Sequence, residues 1–485
     1  MKRKKLTLSL FVMLFCMNLF AQQVDQNHAE SISKNFISYH QKNHHTVSIE
    51  SLDGESGQLA WIAKLSPDGF FLISASQELR PVLAYSFENG WSDSGENDRI
   101  FQTLIKSDIE SRLSYISSNP EEMQSIRKEW EAFSSGSDVD DRLEQWPPEG
   151  TTPTGGWLFT NWTQGSPYNQ MCPIDGNTHQ RSLAGCPATA MSMIVNCLME
   201  INETQLFDSD DYYHSYGSGN QYWIDDDWAD FGFPCFDTLN VYLDSVQANY
   251  AGHKPLTTPQ ISALTFACGV ALKQVFTSSI SGTFGIEQAA DAFQRFGFAD
   301  SRLVYDSDTS LQTDLAENIK KGWTAQLGLL SPPPNQVGHN VVVDGYNTDE
   351  YYHFNFGWGG NSNGWYTMPP TSIPYNLTII EGIVLDIKGE NPHVGIDQTA
   401  DALSNAVEMT WVDGLNAVKI SQAHGKQINS MLSVYSIDGR LMERHAITLD
   451  RDCEKICTLE IHPKGIYLIH LTDGEKLNEV VKVYR

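Results

Sequence analysis

The sequence predicts an α+β protein of several domains that ends in a small all-β sandwich. Three observations carry this. At about 100 to 200 residues per domain, a chain of 485 residues holds two to four domains. Apolar residues make up 41% and charged residues 19%, ordinary values for a globular core. Helical stripes and strand-like runs alternate as far as about Lys388, whereas the last 80 or so residues contain only short strand runs broken by Asp-Gly turns.

From the N-terminus, Lys2, Arg3, Lys4 and Lys5 precede an apolar run from Leu6 to Phe20 that closes on Ala21-Gln22-Gln23. That order, basic then apolar then small, predicts a signal peptide over residues 1–21. About 15 apolar residues fall short of the roughly 20 needed to span a bilayer. Cys16 follows Phe15, where a lipid-modified cysteine would want a small residue, so cleavage is favoured over a lipid anchor.

Residues 22–140 form the first folded unit: a polar helix from Ala29 to Gln41, strands over Leu59–Leu65 and Gly69–Ala75, and a charged helical stretch from Ile100 to Phe133. The run Ser134 to Asp141 and the Pro/Gly/Thr-rich stretch from Trp146 to Gly156 have the composition of an exposed linker. Residues 141–390 are richest in Trp, Tyr and Gly. A polar linker over 391–425 leads to the expected sandwich over 426–485, with strands at Ser433–Ile437, Gly465–Leu471 and Val480–Tyr484.

The formal charge of −28 argues against nucleic acid and anionic membrane as partners, since both require basic surface. Loss of the leader, which holds four of the 32 basic residues and no acid, leaves −32. From Arg181 to Lys254 no Lys or Arg interrupts 72 residues that contain eleven acids, among them Asp208, Asp210, Asp211, Asp225, Asp226, Asp227 and Asp230. Their spacing lacks the order of a calcium loop, so a solvated acidic face is expected, and no metal or cofactor is called for.

One cysteine stands at a helix start. In Gly185-Cys186-Pro187-Ala188-Thr189-Ala190, followed by Met191, Ile194, Val195, Leu198 and Met199 at helical spacing, Pro187 fits the first helical position and Cys186 the N-cap. The positive helix end there favours thiolate over thiol and predicts a lowered pKa. A histidine partner lies in Gly338-His339-Asn340-Val341-Val342-Val343-Asp344-Gly345, and an asparagine in Tyr352-His353-Phe354-Asn355-Phe356-Gly357-Trp358. A hairpin centred on Asn347 would set His339 directly opposite Asn355, so that the amide orients the imidazole. A one-residue slip would place them on opposite faces. His353 shares the face of Asn355 and is the rival base, but it would face Val341, which favours a packing or hydrogen-bonding role. Gln164, in Trp162-Thr163-Gln164-Gly165, is the candidate side-chain donor to an oxyanion beside the Cys186 N–H. Trp358, between two glycines, would shield the His339–Asn355 pair from water.

Together these stretches resemble the streptopain family of papain-like cysteine peptidases, over roughly residues 50–390. The resemblance rests on Trp-x-Gln-Gly-x-Pro-Tyr-Asn at 162–169, Gly-Cys-x-Ala-Thr-Ala at 185–190, Gly-His and the following valines at 338–345, and Tyr-His-x-Asn-x-Gly-Trp-Gly-Gly at 352–360. It implies a papain-like catalytic domain over 141–390, with Cys186 as nucleophile, His339 as general base and acid, Asn355 as its orienting residue and Gln164 as oxyanion donor. The text from Gly69 to Trp91 resembles the family's inhibitory propeptide, which makes 22–140 an inhibitor of its own catalytic domain. Pro187 and Phe356 depart from the family pattern at the cleft entrance. The tail resembles the C-terminal sorting domain of type IX secretion, implying a secreted or surface protein of a Gram-negative bacterium and the secretion machinery as a partner.

The expected activity is hydrolysis of peptide bonds in protein or peptide substrates by a secreted zymogen. A transglutaminase-like acyltransferase and a catalytically inactive binding protein are the competing readings. Of eight cysteines, Cys16 belongs to the leader, and the odd number remaining matches one free thiol at Cys186. Cys172, Cys197, Cys235 and Cys268 either pair or stay reduced and buried.

Overall fold

The computed structural model describes residues 23–55, 57–92, 95–116, 123–135, 143–334, 336–369, 379–389 and the strand segments between 407 and 484. The expected signal peptide over 1–21, most of the run 134–141 and the start of the second linker lie outside the described residues.

The N-terminal unit opens with the helix Gln26–Tyr39, capped by the Asp25 carboxylate, which accepts from the His28 N–H at 2.8 Å. Four antiparallel strands follow: β1 (His45–Gly54), β2 (Gly57–Ser66), β3 (Phe70–Ser74) and β4 (Val82–Ser86). Within the charged stretch expected to be helical, the described residues form helices over Gly95–Ile116 and Met123–Ser135.

Further along come β5 (Gln145–Trp146), the helix Cys186–Leu198, and a small separate hairpin of β6 (Tyr213–Ser215) and β7 (Gln221–Trp223). The helices Phe236–Ala251, Thr258–Ala271 and Glu287–Arg295 then lead to β8 (Arg302–Tyr305), the helix Leu311–Lys320, and β9 (Ala325–Leu330), β10 (Gly338–Asn347), β11 (Tyr351–Asn355), β12 (Gly364–Thr367) and β13 (Ile380–Leu385).

These strands are not two sheets but one. Its order is β1-β2-β3-β4-β12-β11-β10-β9-β13-β8, with β5 on the end of β10. The joint is β4 against β12, where Trp365 faces Tyr85 and Tyr366 faces Ala84. The N-terminal unit therefore completes the sheet of the larger domain, and their cores merge. Leu59, Phe70, Leu72 and Phe101 pack in one apolar cluster with Val341, Val343, Phe356 and Trp358. On the opposite sheet face Phe36, Phe71 and Trp130 cluster with Tyr351 and Trp365. A third cluster buries the helix Cys186–Leu198 on almost every side, against the helix Thr258–Ala271 and Val342.

Beyond residue 406 the chain forms β14 (Val407–Val412), β15 (Ala417–Gln422), β16 (Ile428–Ser436), β17 (Leu441–Leu449), β18 (Cys453–Thr458), β19 (Ile466–Thr472) and β20 (Asn478–Tyr484). They make two sheets, β14-β15-β18 and β17-β16-β19-β20, around Val418, Ile420, Leu432, Val434, Ile469 and Leu471. The β unit is thus longer than 426–485, because β14 and β15 fall inside the stretch read as a linker.

Candidate active site

The helix carrying Cys186 begins one residue away from the expected frame. Gly185 is the N-cap, with φ 85° and ψ 142°, Cys186 is the first helical residue and Pro187 the second. A side chain at Gly185 would meet the Gln274 amide at 2.9 Å and the Ser281 carbonyl at 3.0 Å, so the tight approach of those groups also demands glycine. The first helical bond runs from the Thr189 N–H to the Gly185 carbonyl at 3.0 Å.

Burial overrides the helix end at the thiol. Cys186 is half-buried, and desolvation of its thiol pushes the pKa up to about 11, with hydrogen bonds from the Asn340 and Cys186 N–H groups opposing the rise. The Asn340 N–H lies 3.4 Å from Sγ. The expected lowering does not hold in this state, since desolvation of a thiolate outweighs a half-charge at a helix terminus.

The hairpin of β10 and β11 also differs from expectation. Tyr346 faces Tyr352, so the turn is centred two residues later than Asn347. A bulge between Val343 and Gly345 then shifts the pairing by one, and Asn355 faces Val342. That single extra residue changes faces: Asn355 shares a side with Val342, and His339 with Val341 and Val343. The signal was present in the sequence, for Asp344-Gly345 interrupts a valine run, and glycine inside a strand marks a bulge.

As a result His339 and Asn355 are not hydrogen-bonded. The His339 Nε2–H donates to the Phe356 carbonyl at 2.9 Å, and its ring stacks on Trp358 with centroids 4.6 Å apart. Burial pulls the His339 pKa down to about 4, against the opposing Phe356 bond. Among the described residues no hydrogen bond joins His339 to Cys186. Asn355 donates to the Thr160 carbonyl at 3.3 Å and to Asn161 Oδ1 at 3.0 Å, and it accepts from the Gly357 N–H at 3.0 Å. Trp358 covers His339 itself, not a His339–Asn355 pair.

Gln164 is brought beside the nucleophile by its backbone: the Ala184 N–H donates to the Gln164 carbonyl at 2.8 Å, two residues before Cys186. His353 faces Gly345 and not Val341, because the turn is centred two residues later than expected. Its Nδ1 meets Asp344 Oδ1 at 2.6 Å in a fully buried pair, and Asp344 Oδ2 accepts from the Leu158 N–H. His353 therefore fixes the bulge that places His339. Sequence reasoning missed Gln326, whose Nε2 holds Asn340 Oδ1 at 2.8 Å and reaches the Pro187 carbonyl at 3.4 Å, tying β9 to both strand and helix.

Cys172, Cys186, Cys197, Cys235, Cys268 and Cys457 are all free, so the catalytic segment contains no disulfide. Among the described residues no cluster of His, Cys, Asp or Glu suits a metal ion, and no helix is long and apolar enough to cross a membrane.

A cysteine at the start of a buried helix, set against an antiparallel sheet whose neighbouring strands carry a histidine and an asparagine, gives an α+β architecture that holds the side-chain types a cysteine peptidase uses. Residues 162–366 match the Peptidase C10 family, and residues 21–107 match the Spi protease inhibitor domain. The thiol protease/hemagglutinin PrtT of Porphyromonas gingivalis is 24% identical over 383 residues, covering 74% of this chain but only 40% of that longer protein. Streptopain of Streptococcus pyogenes serotype M28 is 24% identical over 331 residues, 66% of this chain and 76% of the relative. Among solved structures, a fragment of Prevotella intermedia prointerpain A aligns with a TM-score of 0.47 at 19% identity, covering 71% of this chain and 100% of the fragment. Active interpain A of the same organism aligns with a TM-score of 0.36 at 23% identity, covering 49% of this chain and 95% of that one.

Proposed function

We propose that the chain is the latent precursor of a secreted cysteine endopeptidase and that the state described is the inhibited one. The carrying observation is the placement of Phe101. This residue of the inhibitor unit packs edge-on against Phe356 at 5.1 Å and Trp358 at 6.0 Å, the two residues that hold the His339 ring and its Nε2–H. With the thiol near 11 and the imidazole near 4, both are neutral at pH 7, and a neutral thiol is a poor nucleophile.

Release of residues 22–140 removes Phe101 and β4, which frees His339 to turn from the Phe356 carbonyl toward Cys186. In the mature enzyme His339 takes the thiol proton, and Sγ attacks the peptide carbonyl to form a thioester as the C–N bond breaks. The imidazolium gives its proton to the leaving amine, and water hydrolyses the thioester. Trp358 shields the imidazole, and the Cys186 N–H with the Gln164 amide receives the oxyanion; for Asn355 to orient the imidazole, maturation must also re-pair the end of β11, because the precursor holds the two side chains on opposite faces. The leader and the terminal β unit support export, with the type IX machinery as the route.

The test is incubation of the purified precursor with casein, beside Cys186→Ala. New amines from casein and a shortened chain are expected only with Cys186 present. Incorporation of an added amine without cleavage would replace this reading by acyl transfer.

A further inference from the structure

The β6–β7 hairpin is amphipathic in an unusual sense. Its inner face buries His214 and Tyr222, stacked at 4.4 Å, and His214 Nε2 accepts from the Phe276 N–H at 2.7 Å. Its outer face presents Tyr213 and Trp223 as a cross-strand pair with rings 5.4 Å apart. With Phe207 and Trp228, these large rings are 45% to 60% exposed, although a soluble surface usually hides such groups.

The surrounding charge is predominantly negative, with Arg295, Arg181 and Lys273 as the nearby cations. Asp210 is neutralised by Arg295 at 2.7 Å, while Asp211, Asp225 and Asp227 accept the backbone N–H groups of Asp225, Phe236 and Trp223. Asp208, Asp226 and Asp230 are exposed, and none forms an ion pair among the described residues. The neighbouring guanidiniums are committed: Arg295 to Asp210, and Arg181 to the Cys172 and Gly232 carbonyls. Desolvation first, and then the crowding of Asp226 and other acids, hold the carboxyls of Asp211 and Asp225 above their usual range.

The hairpin is continuous with the wall beside the nucleophile. Asp175, buried, accepts from Asn220 at the hairpin and from Ser278 in the loop 277–284. That loop brings the Ser281 carbonyl against Gly185 and leaves Ile280 and Phe284 exposed.

We propose that this aromatic and acidic face is an exosite that docks a Lys- or Arg-bearing extended segment of the protein substrate. The cationic side chains lie over Trp223 and Tyr213 and pair with Asp226 and Asp230, and the rest of the segment runs past Phe284 toward Cys186. Its consequence for cleavage rests on the peptidase reading; its binding does not. The occupant is set by charge complementarity: a field of carboxylates with aromatic faces attracts cations and repels acidic chains.

The test uses full-length protein carrying Cys186→Ala, so that nothing is cleaved. Fluorescence titration with a Lys-rich unstructured peptide should show saturable binding that weakens with salt, and a Glu-rich peptide of equal length should not bind. Trp223→Ser with Tyr213→Ser, and separately Asp226→Asn with Asp230→Asn, should each weaken binding about tenfold. The second pair alters only exposed carboxylates, so a folding defect cannot account for it. Equal binding of the two peptides, no binding, or binding that both double variants retain would overturn the exosite, whether or not the wild-type chain proves to be a peptidase. In the matured wild-type enzyme, preference for Lys-rich over Glu-rich protein in kcat/KM should fall about tenfold with either double variant.

Discussion

The Nε2–H of His339 points at the carbonyl oxygen of Phe356, 2.9 Å away, while the Cys186 thiol accepts from the Asn340 N–H. Nucleophile and base are thus each satisfied by the backbone, and neither by the other. What keeps them so is packing. Phe101 closes over the Phe356–Trp358 shelf, and β4 extends the sheet from which His339 projects.

Phe101→Ala should open that shelf. Truncating a buried phenylalanine costs about 3 to 5 kcal/mol, so the precursor should also melt earlier. Phe36→Ala separates the two effects, because Phe36 is equally buried but lies in the cluster on the other sheet face. Alkylation of Cys186 by iodoacetamide should accelerate in Phe101→Ala and much less in Phe36→Ala. Equal acceleration would assign latency to global stability and not to the Phe101 contact.

Acid should weaken the latent state. His339 titrates near 4 when folded and near 6.5 when unfolded, so below about 6.5 the unfolded chain binds a proton that the folded chain refuses. Stability is therefore full above about 6.5 and falls as pH drops toward 4, by about 3 kcal/mol at most. His40, held near 3 by burial and by Lys42, acts in the same direction inside the inhibitor unit. Cys186 works at the other end: the unfolded thiol ionises near 9 and the folded one near 11, so stability is lost again between those values. Denaturant midpoints across pH 4 to 11 should show a plateau between about 6.5 and 9, with faster maturation at pH 5 than at pH 8. A precursor equally stable at pH 5 and pH 8 would contradict this.

The helix of Cys186 was legible because its stripe, Met191, Ile194, Val195 and Leu198, and the breaker Pro187 are local signals. Its exact start was not, since Gly185 adopts a backbone conformation that depends on Gln274 and Ser281, both about 90 residues away. Strands β2 and β3 could be read from their runs, but their membership in one sheet with β12 could not, because strand order is set by nonlocal pairing of Trp365 with Tyr85. The face of His339 turned on one bulge. A buried His353–Asp344 pair supports that bulge, and the sequence had offered His353 only as a rival base.

Gly185→Ala tests the tight corner before the nucleophile. A non-glycine residue in that region of backbone space costs about 1 to 3 kcal/mol, and the added methyl also presses on Gln274 and Ser281. Gln274 donates to the Ala184 carbonyl at 2.6 Å, so its displacement moves Cys186. The variant should melt earlier and lose most activity after maturation by an added protease. Full activity in a stable Gly185→Ala protein would show that the corner tolerates a side chain.

Asn355 offers the sharpest division between a structural and an orienting role. In the latent form it ties Thr160, Asn161 and the Gly357 turn together with three hydrogen bonds, so Asn355→Ala should lower stability by about 2 to 3 kcal/mol whatever it does in catalysis. Asn355→Asp keeps an oxygen for the Gly357 N–H and adds a negative charge. If Asn355 holds the imidazole in the mature enzyme, that carboxylate stabilises the imidazolium and raises the pKa of His339. The acid limb of kcat/KM should then move to higher or lower pH with whichever ionisation the wild-type limb reports, and a shift of one unit corresponds to about 1.4 kcal/mol. A limb that stays in place while the melting temperature falls would leave Asn355 as a strut of the Trp358 turn, with the imidazole oriented by Trp358 and the Phe356 carbonyl alone.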